Sequence, residues 1–471
     1  MYDMYISPAS LVCFANDNDA LIPEIWANEA LMLLNQTSVM AGLVHRDFSN
    51  AVANFGDVVN TRRPRAMRLT RKTDADDVVT QDAIVDNVRV PLDQHGVISF
   101  VIRDGEATKS MQELVDIHVV PAIQALGRGV DRGLAGMIHK YFSTSDKRAG
   151  RLSNLTSSNS KDFLFEAREI MNRNLCPLDG RNLVLGPTSE TPIVKTDLFL
   201  AADTRGDGGS TLENARLGRV VGFNTFLSQN VPSLTTAAAD IATGTITNAL
   251  AAGGSGSQAC TITGYEVSVG EFITVAGNDQ PTRATAVTAS THTTALTLDE
   301  ANKYATLSSA AVTAYKSCDV NGAYDAGYTK EIVLDGWTAN KAPQVGQLLA
   351  FGTTTRHTYT IIESRLSASG EQSVMLDRPL EYSLSNNDLA FPGPAGTFNF
   401  AFHKNALALV SRPVAAPRAN SGVMSAVASS ENLGMRVTMQ YDTVKMGTRV
   451  NMDLLYGYAV LDTNLAVAFL G

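Results

Sequence analysis

The sequence is poor in the features that mark most functional classes. Its four cysteines, Cys13, Cys176, Cys260 and Cys318, are scattered and form no CxxC pair. That excludes a disulfide-dense scaffold and a zinc site built on paired thiols, and leaves free thiols of a reducing compartment as the expectation. No apolar run approaches the roughly 18 residues that a membrane-spanning helix needs. Even the apolar tail from Leu454 is interrupted by Asp462 and Asn464. Met1-Tyr2-Asp3-Met4 carries an acid where a secretory leader carries a base. The expectation is a protein made in the cytoplasm with no membrane contact. Positive charge is also in deficit, with 38 basic residues against 47 acidic ones and a net charge of −9. Proteins that grip nucleic acid by displacing counterions are usually basic. Any nucleic acid here is expected to be contained rather than held.

Catalytic patterns are equally scarce. The chain has no GxGxxG after a strand, no P-loop, no HExxH and no GxSxG. Its seven histidines are isolated. His118 and His139 fall on one expected helix but too far apart to share a metal. The loop Asp203-Thr204-Arg205-Gly206-Asp207-Gly208 has acids where a calcium loop has its first and third ligands, and glycine at the sixth position. Arg205 and Asn214 occupy ligand positions where that chemistry needs an oxygen donor and a bidentate glutamate. Its Arg-Gly-Asp triplet is read as a tight turn. No catalytic residue, cofactor or metal site is assigned, and the chain is not expected to be an enzyme.

What is present is patterning. With 44% hydrophobic residues there is ample material for cores. Residues 1–56 open irregularly and then turn helical, with Pro23 suited to a first turn and Trp26, Ala30, Leu33 and Leu34 forming one stripe. Residues 57–105 read as an extended two-stranded excursion. Pro64 argues for an edge, Ile84, Val88, Val90 and Leu92 share a face, and Val97 to Ile102 is a further apolar run. An isolated ribbon is marginal in water, so it is expected to lie on another subunit.

Ser110-Met111-Gln112-Glu113 is a capping box that starts the clearest helix. Its stripe runs through Met111, Leu114, Val115, His118, Ala122, Leu126, Val130, Leu134, Met137, Ile138 and Tyr141, and Pro121 is expected to kink or split it near the first two turns. A second amphipathic helix is expected over 161–174. The body continues to 234. Residues 235–258 are nearly all small and polar and read as linker or weak strand.

Residues 235–398 form a β-rich block with an internal echo. Val269-Gly270-Glu271-Phe272-Ile273-Thr274-Val275 is matched by Val345-Gly346-Gln347-Leu348-Leu349-Ala350-Phe351, and Ala295 to Asp299 by Ser373 to Asp377. Two related β-modules, or two halves of one barrel, would produce this. Residues 399–471 return to mixed patterning, so the block is expected to be inserted into an α+β body.

The densest cluster of charge is Arg62, Arg63, Arg65, Arg68, Arg71 and Lys72, followed at once by Asp74, Asp76, Asp77, Asp82 and Asp86. No aromatic residue lies among them to stack on bases. A self-complementary arm at a subunit interface is the expectation, since opposed charges fix register and partner. A solvated face and a DNA contact are the alternatives.

The order of these elements resembles the tailed-bacteriophage major capsid proteins of the HK97 fold, and most nearly the coat proteins of short-tailed Salmonella-type phages with an inserted β-domain. The resemblance rests on Ile22-Pro23-Glu24-Ile25-Trp26-Ala27-Asn28-Glu29-Ala30-Leu31, on Phe55-Gly56-Asp57-Val58-Val59 leading to Arg62-Arg63-Pro64, and on Glu113-Leu114-Val115-Asp116 with Pro121-Ala122. It continues in Leu183 to Thr188, in Leu217 to Phe223, in Ser228-Gln229-Asn230-Val231-Pro232 and in Ala401 to Val410. It implies an α+β chain with an N-terminal arm, an extended loop, a long spine helix, peripheral and axial domains, and an inserted all-β domain. It also implies hexamers and pentamers closing into an icosahedral virion capsid around a scaffolding protein. A portal protein and weakly contacted double-stranded DNA would be the further partners. A tail-tube or decoration protein, and a hydrolase with dispersed residues, are the competing classes.

Overall fold

The computed structural model describes the chain from residue 21 to the C-terminus, except for residues 47–56, 65–66, 68, 79, 83–84, 106–114, 142–144, 197–216, 248, 250–251, 253–256, 263–264, 291–292, 299–302, 339–340, 353–356, 367–369, 419–421 and 431–432. The capping box at 110–113 and the Asp203–Gly208 loop lie outside the described residues.

The helical stripe read from Val115 to Tyr141 is one continuous spine. It begins as a π-turn at Val115–Val119, becomes an α-helix over Val120–Gly136 and tightens to a 3-10 turn at Met137–Tyr141. At 1.5 Å per residue it spans about 40 Å. Pro121 lacks an amide and its ring would collide with the preceding turn of a regular helix. The wide π-turn just before it removes that conflict. Ala122, Ile123, Leu126, Val130, Leu134 and Ile138 bury one face. The helix Leu21–Thr37 packs Trp26, Ala27, Ala30, Leu31 and Leu34 into the same core.

Two sheets complete the body. In the first, Gly396–His403 lies antiparallel to both Arg181–Leu185 and Ala466–Leu470, with Phe223–Leu227 added in parallel. Alternation by two sends Leu183, Ala401, Val467 and Phe469 toward the helices Ser160–Arg173 and Pro187–Val194, while Val184, Phe400, Phe402 and Ala468 face the spine core. Both faces are covered, so apolar side chains point to both sides of these strands, and the polar residues Arg181, Asn182, Thr397 and Asn399 are buried among them.

The second sheet is antiparallel and organised by the 14-residue strand Gly447–Val460. Leu433–Asp442 and Leu407–Arg412 pair with it, Met424–Ser430 pairs with Leu433–Asp442, and Gln94–Arg103 takes the opposite side. Here the structure departs from the sequence reading. Residues 94–103 belong to this body sheet, and only Val58–Pro64 and Val85–Pro91 form the ribbon. The alternation of Ile98, Phe100 and Ile102 toward the spine core decides it, since a free ribbon offers no layer to bury them.

Between the body strands, the chain forms two closed six-stranded barrels. The first contains Ile241–Ile246, Ser257–Ile262, Phe272–Val275, Thr282–Ser290, Thr293–Leu298 and Ala311–Tyr315. The second contains Cys318–Asn321, Ile332–Asp335, Leu348–Phe351, His357–Leu366, Gln372–Leu376 and Leu389–Pro392. Around both, the order is first, second, fifth, fourth, third, sixth and back to first. Closure leaves neither with an open edge. Within 235–258, read as linker or weak strand, Ile241–Ile246 is a strand. Its small residues belong to a full strand because Gly244 sits against the Thr261 carbonyl, where a Cβ would collide.

The echoed segments occupy the third and fifth strands of each barrel. The agreement extends to backbone detail. Gly270 and Gly346 both adopt positive φ, at 106° and 84°. In one barrel Gly270 N donates to Ala284 O and Ala284 N to Glu271 O; in the other Gly346 N donates to Ile361 O and Ile361 N to Gln347 O. Both fourth strands then bulge, at Ala284/Ala286 and at Ile361/Glu363.

Candidate assembly surfaces

The ribbon emerges from the body at a tight crossing. Val90 and Leu92 bury against Ala408, Val410 and Leu455, and Leu92 N donates to Asp57 O at 2.8 Å. A Cβ at Gly457 would lie 1.8 Å from the Pro91 carbonyl oxygen, so only glycine lets the ribbon base pass over the long strand. Beyond that base, among the described residues, the two strands pair only with each other, with Arg62 opposite Asn87 and Arg63 opposite Asp86. Asn87 Nδ2 donates to Asn60 Oδ1 at 3.1 Å across the pair.

The sequence-derived site residues distribute along this arm. Arg62 and Arg63 lie on its first strand and Asp86 on its second. Arg65 and Arg68 lie outside the described residues. Arg71, Lys72, Asp74, Asp76, Asp77 and Asp82 are all exposed on the connection. Thr73 and Asp76 fold the tip into a turn. The Asp76 carboxylate accepts from Thr73 N and Thr73 Oγ1, which holds it below the usual carboxylate range. The arrangement therefore presents two cations and three carboxylates in succession on one exposed turn.

Chemistry of other kinds is not gathered anywhere comparable. Among the described residues no three His, Cys, Asp or Glu side chains converge to hold a metal. Cys176, Cys260 and Cys318 are buried, and burial pushes the Cys260 thiol up to about 11. One cleft of about 480 Å³ lies between the ribbon base, the spine end and the second barrel. Arg89, Asp93, Lys140, Arg378, Glu381 and Tyr458 line it. Burial pushes Asp93 up to about 6. Arg378 is already committed to Asp377 at 3.3 Å and Glu381 at 3.0 Å. No nucleophile stands beside a base there.

Several residues that organise the surface carry no signal in the sequence. Arg436 Nε donates to Asp453 Oδ1 at 3.0 Å, its Nη2 donates to Asp453 Oδ2, and its Nη1 donates to Ala415 O. His95 Nε2 lies 3.2 Å from the same carboxylate. Glu166 anchors the first barrel, accepting from Lys303 Nζ at 2.7 Å, Tyr304 Oη at 2.7 Å and Gly150 N at 3.2 Å. Arg132 ties the spine to the second barrel through Ile362 O and Glu363. Arg283 joins the barrels: it donates to Gly270 O and Gly352 O and lies over the rings of Phe272 and Phe391. Arg132–Glu363, Glu166–Lys303 and His95–Asp453 join residues more than a hundred positions apart, which one chain read linearly does not expose.

No family model matches this chain, and no curated protein does. Among solved structures, it is similar to one titled Mycobacterium phage Che8, with a TM-score of 0.42 and 14% identity over 92% of this chain and 90% of that one. It is similar to the capsid structure of the cyanophage P-SCSP1u, with a TM-score of 0.41 and 12% identity over 92% of each chain. The asymmetric unit of the bacteriophage PhiM1 mature capsid gives a TM-score of 0.40 and 10% identity over 92% of this chain and 86% of that one.

Proposed function

We propose that this chain is a phage major coat protein, a structural subunit that self-assembles as hexamers and pentamers into an icosahedral shell around double-stranded DNA. The observation that carries the reading is the ribbon. Beyond the base where Val59 and Val90 pack on the body, Val58–Pro64 and Val85–Pro91 form a ribbon that pairs with no third strand among the described residues and carries sorted charge at its tip. Two strands alone are marginal in water, and an arm of this kind becomes useful when it lies on a neighbour. Arg62, Arg63, Arg65, Arg68, Arg71 and Lys72 would meet acidic groups of that neighbour, and Asp74, Asp76, Asp77, Asp82 and Asp86 basic ones. The sequence resemblance to HK97-fold coat proteins points the same way. It supplies the rest of the proposal: peripheral and axial domains about the spine, an inserted β-domain, a scaffolding protein during assembly, and a portal for DNA in the virion.

The test is to express the chain with and without its scaffolding protein and image the products by negative-stain electron microscopy. Closed shells of uniform size are expected. Charge reversal at Arg71 and Lys72 should reduce their yield, and reversal of Asp74, Asp76 and Asp77 in the same chain should restore part of it. A monomer under both expression conditions would overturn the reading.

A further inference from the structure

The second body sheet has two unguarded margins. Among the described residues, neither the outer edge of Gln94–Arg103 nor that of Met424–Ser430 meets a backbone partner. Open edges invite pairing with another chain, and proteins blunt them with shortness, charge or proline. The other open strands here do so. Arg148–Gly150 has three residues, Arg219–Val220 has two, and the ribbon strands carry Pro64, Pro91 and charges. Met424–Ser430 has seven residues with no charge and no proline, and Val97 to Ile102 is an uncharged run on the opposite margin.

The two margins also match each other. Val97 stands opposite Asp453, Asp453 opposite Arg436, and Arg436 opposite Val427, so one row of side chains crosses the whole sheet. Its centre is the Arg436–Asp453 ion pair, and its two ends are valines exposed at 51% and 43%. Four antiparallel strands make up that row. A second copy placed beside the first in the same orientation therefore brings its Gln94–Arg103 antiparallel to Met424–Ser430. We infer that this edge is covered by the Gln94–Arg103 edge of a second copy of this chain, so that neighbouring subunits share a continuous sheet with Val427 beside the neighbour's Val97 row. Such a joint is heterologous, and repeated around an axis it closes a ring. The inference rests on the coat-protein reading, since it supplies one joint of that shell.

The test uses the full chain assembled into shells. In a Cys13→Ser background, Val97→Cys and Val427→Cys are made singly and together and treated with a short bismaleimide, which the buried thiols Cys176, Cys260 and Cys318 resist. The double variant should give a ladder of covalent oligomers up to the ring size, and each single variant none. In the same particles, amide exchange over 424–430 should slow at least tenfold relative to dissociated wild-type subunits, a measurement that stands even if the double variant does not assemble. Shells whose 424–430 amides exchange as fast as in free subunits would overturn the shared sheet and leave the coat reading intact. Crosslinking of Val427→Cys alone would replace it with a twofold joint between like edges. Absence of any shell from the wild type would remove the coat reading and this inference together.

Discussion

The phenol of Tyr458 lies directly against the spine at Gly133, where a Cβ would sit 2.6 Å from the hydroxyl oxygen. The spine and the long strand thus cross at their closest where the helix has no side chain. Gly136, one turn on, meets Thr360 of the second barrel in the same way, at 2.8 Å. Helix propensity alone disfavours glycine at both positions by roughly 1 kcal/mol relative to alanine, so packing has overridden it.

Gly133→Ala should therefore destabilise the subunit by about 1–3 kcal/mol through overpacking. Gly129→Ala, where nothing lies within 4 Å, should stabilise it by roughly 0.5–1 kcal/mol through helix propensity. Urea unfolding followed by the fluorescence of buried Trp26 measures both, and equal effects would contradict the crossing.

Asp131 is buried in the spine and accepts from Val39 N at 2.8 Å and Ala41 N at 3.3 Å, tying the N-terminal helices to it. Burial pushes its pKa up to about 6, against those hydrogen bonds. A raised carboxylate pKa means the folded state holds the proton more tightly than the unfolded one. Its contribution is fully present below about pH 3.8 and is lost as pH rises to about 6, an effect of up to about 3 kcal/mol. The stability difference between wild type and Asp131→Asn should change across pH 4–6 and level off above it. A constant difference would show that the carboxyl titrates normally.

Glu166→Gln should loosen the first barrel from the body, because Lys303, largely buried, loses its counter-charge and is left with the Arg148 carbonyl and a neutral amide as acceptors. Exchange should accelerate in 279–282 and 303–304 while the spine amides keep their protection. Uniform acceleration would mean that barrel and body open as one unit.

Glu271 and Gln347 hold equivalent places in the two barrels. Tyr265 Oη, Ser317 N and Ser317 Oγ all donate to Glu271 Oε1, while Oε2 is buried with no partner among the described residues, and burial raises its pKa. Stability from this group is thus lost as pH rises. Glu271→Gln should change stability at neutral pH by no more than about 1 kcal/mol and remove the pH dependence. Thermal melts at pH 5 and pH 8 check it, and a drop of several kcal/mol would show that the charge itself is required.

The spine was legible because its stripe is long and regular, and the ribbon because sorted charge and Pro64 leave it no core to face. The tandem modules were legible from the echo at Gly270 and Gly346, whose positive φ demands glycine in both. Less could be read where partners are remote. Asn451 and Asp453 break the apolar pattern of Gly447–Val460, so that 399–471 reads only as mixed patterning. Asp453 is tolerated there because Arg436 lies directly opposite. Gln94–Arg103 was assigned to the ribbon because alternation reveals a buried face without naming what buries it. The charged arm itself was visible; its register, and the turn at Thr73 and Asp76, were not.

Only Lys316 and Ser317 separate the last strand of the first barrel from the first strand of the second, and Glu271 and Arg283 fasten that joint. The pair is held to the body on both modules: Glu166, Arg148 and Gly150 engage the first barrel through Lys303, Pro281 and Gln280, and Arg132 and Gly136 of the spine engage the second through Ile362 and Thr360. Mechanically it is a brace: torque that rotates the spine against the helix Ser160–Arg173 must either shear one of these anchors or carry the whole brace with it.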